Sequence, residues 1–202
     1  MTTKFRLGVL VSGKGTNLQA IINWIEKENA NVKIALVISN KKNAQALERC
    51  ERHGIESIYM NPKSFENNIK FDQAMATRLK KSSIDLICLA GFMQILSPQF
   101  IQAFSKKIIN VHPSLLPSFP GLNAQKQALE YGVKLAGCTV HFVDEGVDTG
   151  PIIFQSSVPV FNNDTEKTLS ERILREEHKL YPKAIKSIMS NQIVICGKRT
   201  TN

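Results

Sequence analysis

Phe5-Arg6-Leu7-Gly8-Val9-Leu10-Val11-Ser12-Gly13-Lys14-Gly15-Thr16-Asn17-Leu18-Gln19-Ala20-Ile21-Ile22 is the stretch on which the fold turns. Phe5 to Val11 reads as a buried strand, a glycine-containing turn follows, and from Leu18 to about Lys27 apolar residues recur at helical spacing. A strand apolar on both faces needs cover on both, which helices between parallel strands provide. Glycines in the turn let backbone approach an anion, and the helix N-terminus offers free N–H groups at the positive end of its dipole. Gly15, Thr16 and Asn17 are therefore candidates to hold a phosphate. A plain tight turn with Asn17 or Thr16 as helix cap explains the same residues without a ligand.

The turn begins like the dinucleotide fingerprint, but Leu18 stands in place of the third glycine. The second strand, Ile34 to Ile38, then ends in Ser39-Asn40 instead of the acidic residue that holds a ribose. A nicotinamide cofactor is disfavoured, and no Gly-Lys-Ser/Thr follows at the Walker spacing.

Outward from this unit the alternation continues. A helix from Ala44 to His53 stops at Gly54, and Ile55 to Met60 reads as a strand. Asn61-Pro62-Lys63-Ser64 leads into a helix from Phe65 to Lys81, and Ile84 to Leu89 is the next apolar strand. Ser97 and Pro98 open a short helix as cap and first residue. Ile108 to Val111 is a strand, Ala124 to Tyr131 a helix stopped by Gly132, and Ala136 to Val143 and Ile152 to Val160 two long strands. The last helix, Glu166 to Ser190, contains Pro182, which predicts a kink or a restart. Ile193 to Cys196 reads as an edge strand and Lys198 to Asn202 as a frayed tail. The expectation is an α/β fold: a doubly wound, mostly parallel sheet with an antiparallel C-terminal extension. A length of 202 residues suits one domain, residues 1–202, with one sizeable core.

Apolar residues make up 43% and charged residues 21%, an ordinary balance for a globular protein. No apolar run approaches the roughly 20 residues of a membrane span. The N-terminal residues run straight into the first strand with no signal-peptide pattern, so a cytoplasmic protein is expected. Cys50, Cys88, Cys138 and Cys196 lie far apart, which suggests free thiols and neither a zinc site nor a disulfide framework. The net charge of +9 is spread through helices and interleaved with Glu. A bias suited to small anionic ligands, or one with no role at all, is a better reading than a dedicated nucleic-acid surface.

Chemistry concentrates at the end of the strand from Ile108. Asn110 and His112 are two residues apart, so they leave the same face where the strand ends. That is the carboxyl edge at which open parallel sheets place their ligands. A loop with three prolines follows, Pro113 to Gly121. The connector Asp144-Glu145-Gly146-Val147-Asp148-Thr149-Gly150-Pro151 offers three carboxylates, of which Asp148 can meet the pair; a solvated hairpin turn accounts for its composition equally well. A carboxylate beside an imidazole orients it and favours its charged form, while an amide donates to a developing oxyanion. This is acyl-transfer equipment without a nucleophile, because Ser114 has no Gly-x-Ser-x-Gly elbow and the loop has no cysteine. His141 belongs to a strand, where it serves the core or supports another side chain.

Gly13-Lys14-Gly15-Thr16-Asn17, Ala90-Gly91-Phe92-Met93, Asn110-Val111-His112-Pro113-Ser114-Leu115-Leu116-Pro117 and the run from Gly137 to Pro151 resemble the phosphoribosylglycinamide formyltransferases, within the wider formyltransferase superfamily. The likeness covers nearly the whole chain and implies the Rossmann-like formyltransferase fold. It implies transfer of a formyl group from 10-formyltetrahydrofolate to the amine of 5-phosphoribosylglycinamide, in purine synthesis, without metal or covalent intermediate. On that resemblance Asn110, His112 and Asp148 are catalytic, Gly15, Thr16 and Asn17 hold the ribonucleotide phosphate, and Glu177 binds the ribose hydroxyls. Met93, Gln94, Ile95 and Leu96 would frame the pterin together with Asn110 and the loop residues Asp144, Glu145, Gly146, Val147 and Asp148. Gln94 and Asn68 stand where such enzymes often carry arginine, which implies a weaker grip on the folate's glutamate tail. The resemblance also implies a cis bond at Leu116-Pro117 and a monomer or homodimer with small-molecule partners only. A formyl-folate hydrolase and a nucleotide-binding module that kept the fold are the competing readings.

Overall fold

A computed structural model of the chain describes residues 4–201. Met1 to Thr3 and Asn202 lie outside it, and with them part of the reading of the two termini. The chain divides into two compact units, Met1–Ile109 and Asn110–Asn202.

In the first unit, β1 (Phe5–Val11), β2 (Val32–Ser39), β3 (Ser57–Tyr59) and β4 (Leu86–Leu89) are joined by α1 (Thr16–Glu28), α2 (Gln45–Arg52) and α3 (Asn68–Lys81). α4 (Pro98–Ala103) follows, and β5 (Ile108–His112) begins here and ends in the second unit. β1 pairs in parallel with both β2 and β4, and β2 with β3. Leu7, Val9, Leu10 and Val11 are all fully buried, so both faces of β1 are covered, as its unbroken apolar run requires. Leu18, Ile21 and Ile22 form the buried stripe of α1. Each such side chain contributes roughly 1.5–3 kcal/mol on leaving water.

Helix starts mostly follow their local chemistry. Asn67 caps α3 through Lys70 N–H, and Ser97 caps α4 ahead of Pro98. α1 departs from expectation, because the residue in the cap position is Gly15 and neither Thr16 nor Asn17. Gly15 has φ +68°, and a Cβ there would stand 2.7 Å from the Cβ of Ala46 on α2. Both the backbone conformation and the closeness of α2 demand glycine, and that demand outweighs the gain from a polar cap.

The second unit contains α5 (Ala124–Tyr131), β6 (Leu135–Phe142), β7 (Ile152–Pro159), α6 (Glu166–Met189), β8 (Val194–Cys196) and β9 (Arg199–Thr201). β6 and β7 are antiparallel. The main sheet has seven strands in the order β3-β2-β1-β4-β5-β6-β7, the mostly parallel sheet expected, with β8 and β9 as a separate antiparallel pair. Gly132, at φ +80°, ends α5 as expected.

Two expectations about the C-terminus need correction. α6 is continuous through Pro182, so of the two alternatives the restart is ruled out. A proline removes a single helical hydrogen bond, and the burial of Leu180, Tyr181, Ala184 and Ile185 around it holds both halves in place. Residues 199–201 are not frayed, because they pair with Val194–Cys196, and Thr200 Oγ1 donates to the Ile152 carbonyl at 2.6 Å. β8 therefore has its partner in β9 and is not an edge strand of the main sheet. Cys50, Cys88 and Cys138 are free and buried, and Cys196 is free and exposed. No helix among the described residues is long and apolar enough to cross a membrane.

Candidate active site

In the second unit the end of β5 presents Asn110 and His112, as the period of a strand requires. The loop beyond, with its cis Leu116-Pro117 bond, is fastened from below by one buried hydroxyl. Thr139 Oγ1, on β6, donates to the Ser114 carbonyl at 2.7 Å and accepts the Leu116 N–H at 3.0 Å. Gln155 on β7 donates to the same hydroxyl at 3.0 Å and to the Leu116 carbonyl at 2.9 Å. Ser114 Oγ donates back to the Ser118 carbonyl at 2.6 Å, which further secures the loop.

The connector between β6 and β7 is not a solvated hairpin turn alone. Asp144 Oδ1 accepts from Gly146 N–H and from Thr149 Oγ1, which closes the turn. Gly150 passes so near the Phe142 carbonyl that any side chain would collide with it. Asp148 sits at φ +55°, a conformation that aspartate tolerates better than most residues. Its carboxylate becomes the hub of the site. Oδ2 accepts Gly121 N–H at 2.8 Å and lies 3.2 Å from His112 Nδ1. Oδ1 lies 3.4 Å from Asn110 Nδ2 and 3.6 Å from His141 Nε2.

The His112 side chain is only 6% exposed, and both ring nitrogens meet acceptors: Asp148 at Nδ1 and, at 2.9 Å, the Phe119 carbonyl at Nε2. A ring carrying both protons satisfies both contacts, whereas a neutral ring sets an acceptor against an acceptor at one of them. His141 is 2% exposed, and Nδ1 meets the Phe142 carbonyl at 2.8 Å, which places a proton on that nitrogen. Nε2 lies 3.3 Å from Asn110 Nδ2 and 3.6 Å from Asp148 Oδ1. Burial works to raise the pKa of Asp148. Hydrogen bonds from His141 and from Gly121 N–H, with the charges of His112 and His141, outweigh burial and hold it below the usual carboxylate value.

Sequence reasoning placed Asn110, His112 and Asp148 together correctly and left His141 open. It missed the Phe119 carbonyl and the Gly121 N–H, which as backbone groups leave little mark in a sequence. His141 carried no comparable signal, since the alternation of β6 is interrupted between Val140 and His141.

Glu177 is 7% exposed on α6. Burial first, then the charges of Glu177 and Glu176, push the Cys138 thiol on β6 up to about 12, which leaves it inert.

In the first unit Gly15, Thr16 and Asn17 stand at the N-terminus of α1. A cavity of about 430 Å³ lies beside the turn, with Gly13, Lys14, Lys41 and Lys42 in its lining. Ser12 ties this turn to the next loop, since its N–H donates to the Gly91 carbonyl at 3.1 Å and its hydroxyl accepts Met93 N–H at 2.8 Å. Leu96 is buried, whereas Met93 and Ile95 are 68% and 77% exposed, an unusual outlay of apolar surface. Gln94 donates to Asn68 and accepts from Asn40, each at 3.3 Å, so neutral amides occupy this position together. No cluster of three or more His, Cys, Asp or Glu among the described residues is arranged to hold a metal ion.

Residues 5–185 match the family described as formyl transferase. The phosphoribosylglycinamide formyltransferase of Bacillus subtilis (strain 168) is 45% identical over 184 residues, 91% of this chain and 94% of that protein. The trifunctional purine biosynthetic protein adenosine-3 of Homo sapiens is 50% identical over 190 residues, 94% of this chain, which spans only 19% of that relative's length. Among solved structures, glycinamide ribonucleotide transformylase 1 from Symbiobacterium toebii matches with a TM-score of 0.97 and 48% identity, covering 100% of this chain and 95% of that one. With a family match over most of its length and a relative of equal extent, the chain belongs to the formyl transferase family.

Proposed function

We propose that the protein, acting as one domain over residues 1–202, transfers the formyl group of 10-formyltetrahydrofolate to the amine of 5-phosphoribosylglycinamide. One observation carries this reading: a single carboxylate, Asp148, lies against both Asn110 and His112 and so fixes an amide and an imidazole side by side. The neutral amine attacks the formyl carbon, and negative charge develops on the formyl oxygen. Asn110 Nδ2–H and the protonated ring of His112 are the donors that meet it. His112 Nε2–H, which points at the Phe119 carbonyl, must be shared with that oxygen. As the bond from the formyl carbon to the folate nitrogen breaks, the proton lost by the amine is the one the folate nitrogen gains. Asp148, ionised at neutral pH, passes it through water.

For binding, the ribonucleotide phosphate goes to the N–H groups of Gly15, Thr16 and Asn17, and Glu177 takes the ribose hydroxyls. The lysines lining the cavity beside the turn support an anion there. Met93, Gln94, Ile95 and Leu96, with Asp144, Glu145, Gly146 and Val147, frame the pterin. The exposed side chains of Met93, Ile95 and Val147 suit an apolar heterocycle.

The test is to incubate the protein with 10-formyltetrahydrofolate, with and without 5-phosphoribosylglycinamide, and to follow deformylated folate and formylated ribonucleotide together. Equal amounts of both, only when the ribonucleotide is present, are expected. Folate released without the ribonucleotide would make the protein a hydrolase, and no release under either condition would leave it a binding protein.

A further inference from the structure

The phosphate turn is held from outside by a directional chain of side chains that ends in a histidine. Arg49, on α2, donates from Nε to the Lys14 carbonyl of the turn at 2.9 Å and from one terminal nitrogen to Gln19 Oε1 at 3.0 Å. Gln19, on the first turns of α1, donates from Nε2 to Asn23 Oδ1 at 2.9 Å and faces His53 Nε2 at 3.2 Å. His53, just past the end of α2, has Nδ1 at 3.0 Å from Glu26 Oε1.

These contacts fix every polarity. The Glu26 carboxylate only accepts, so His53 Nδ1 carries a proton; Arg49 only donates, so Gln19 turns its oxygen toward Arg49 and its amino group toward His53. His53 Nε2 is then the acceptor, and the ring that completes the chain is neutral. A second proton on the ring would set a donor against the Gln19 amino group. Rotating the amide by half a turn repairs that contact but presents its amino group to Arg49. The charged groups around the ring are Glu26 on α1 and, one side chain further, Arg49 on α2.

We propose that Arg49 and Gln19 are positioning residues for the phosphate turn, and that protonation of His53 releases them, so that the turn is braced when the ring is neutral and loosened when it is charged. The ribonucleotide consequence rests on the proposed binding of its phosphate at Gly15 to Asn17.

The experiment has two arms on the full chain. In the ligand-free protein, the backbone amide signals of Gly15 and Thr16 are followed by NMR between about pH 8 and about pH 5.5, which spans the ordinary imidazole range. They are expected to move in step with the His53 ring, and to stop doing so in His53→Asn and in Arg49→Lys. Turn amides that ignore the ring, or that move equally in His53→Asn, overturn the proposal. In the second arm kcat/KM for the ribonucleotide is compared across the same range. Wild type is expected to lose about threefold more than His53→Asn on acidification, the effect of weakening one or two hydrogen bonds. The KM for the formyl donor should follow the same course in both proteins. Titration of the substrate phosphate is common to both and cancels. Turn amides that follow His53, with no difference in the second arm, would uphold the brace and refute the phosphate reading of the turn.

Discussion

The carbonyl oxygen of Phe119 lies 2.9 Å from Nε2 of His112, on the opposite side of the ring from Asp148. Phe119 reaches it from φ +53°, a region an aromatic residue seldom occupies. Asp148, at φ +55°, holds the other nitrogen, so two residues in uncommon backbone conformations grip one imidazole. A ring gripped by two acceptors has its orientation settled before any substrate arrives, which is the preorganisation that stabilising a developing charge requires.

The acid side of the pH range follows from Asp148. Its pKa is lower in the folded protein than in the unfolded chain, so between the two values the unfolded chain binds more protons. This contribution to stability is complete above the usual aspartate range and is lost as pH falls through the depressed folded value. In urea unfolding, wild type should exceed Asp148→Asn at neutral pH and converge toward it at about pH 3. A gap unchanged down to that pH would mean the variant loses packing and not a charge interaction.

Gly15→Ala tests the turn at the start of α1. The left-handed conformation costs a non-glycine residue roughly 1–2 kcal/mol, and the new methyl would stand 2.7 Å from Ala46 Cβ. We expect a lower unfolding midpoint and a raised ribonucleotide KM, with the formyl-donor KM within about twofold of wild type. Equal stability of the variant would show that α2 gives way easily at this contact.

Thr139→Val keeps the shape of a fully buried side chain and removes its hydroxyl. The Leu116 N–H loses its partner, at a cost of about 1–3 kcal/mol for a buried group left unsatisfied. Because the loop from Ser114 carries Phe119, the variant should lower kcat as well as the unfolding midpoint. Stability lost with kcat unchanged would separate the loop's fastening from the aim of His112.

Much of this was legible in the sequence, and the reasons differ by element. The strand from Phe5 and the helix from Ala124 announced themselves through apolar runs and, for the helix, a terminal glycine. Asn110 and His112 could be paired from strand parity alone, and the acidic connector supplied a carboxylate to join them. The continuity of α6 through Pro182 was hidden, because it depends on burial from several sides and not on local propensity. So was the β8–β9 pair, since three-residue strands carry little pattern. The cap of α1 was misread because the close approach of Ala46, 31 positions after Gly15, selects the residue there. The grip on His112 by the Phe119 carbonyl was beyond reach for a similar reason, as it is made by backbone whose direction the fold sets.

The most direct test of the account is kcat for formyl transfer by Asp148→Asn, measured with both substrates saturating and beside both KM values. The substitution keeps the size of the side chain and removes the charge beside His112 that, in the proposed reaction, moves the amine's proton. The account predicts a fall in kcat of about 10²- to 10⁴-fold, the usual worth of a positioned proton-transfer group, with each KM within about threefold of wild type. A kcat within about fivefold of wild type in a folded variant would contradict it.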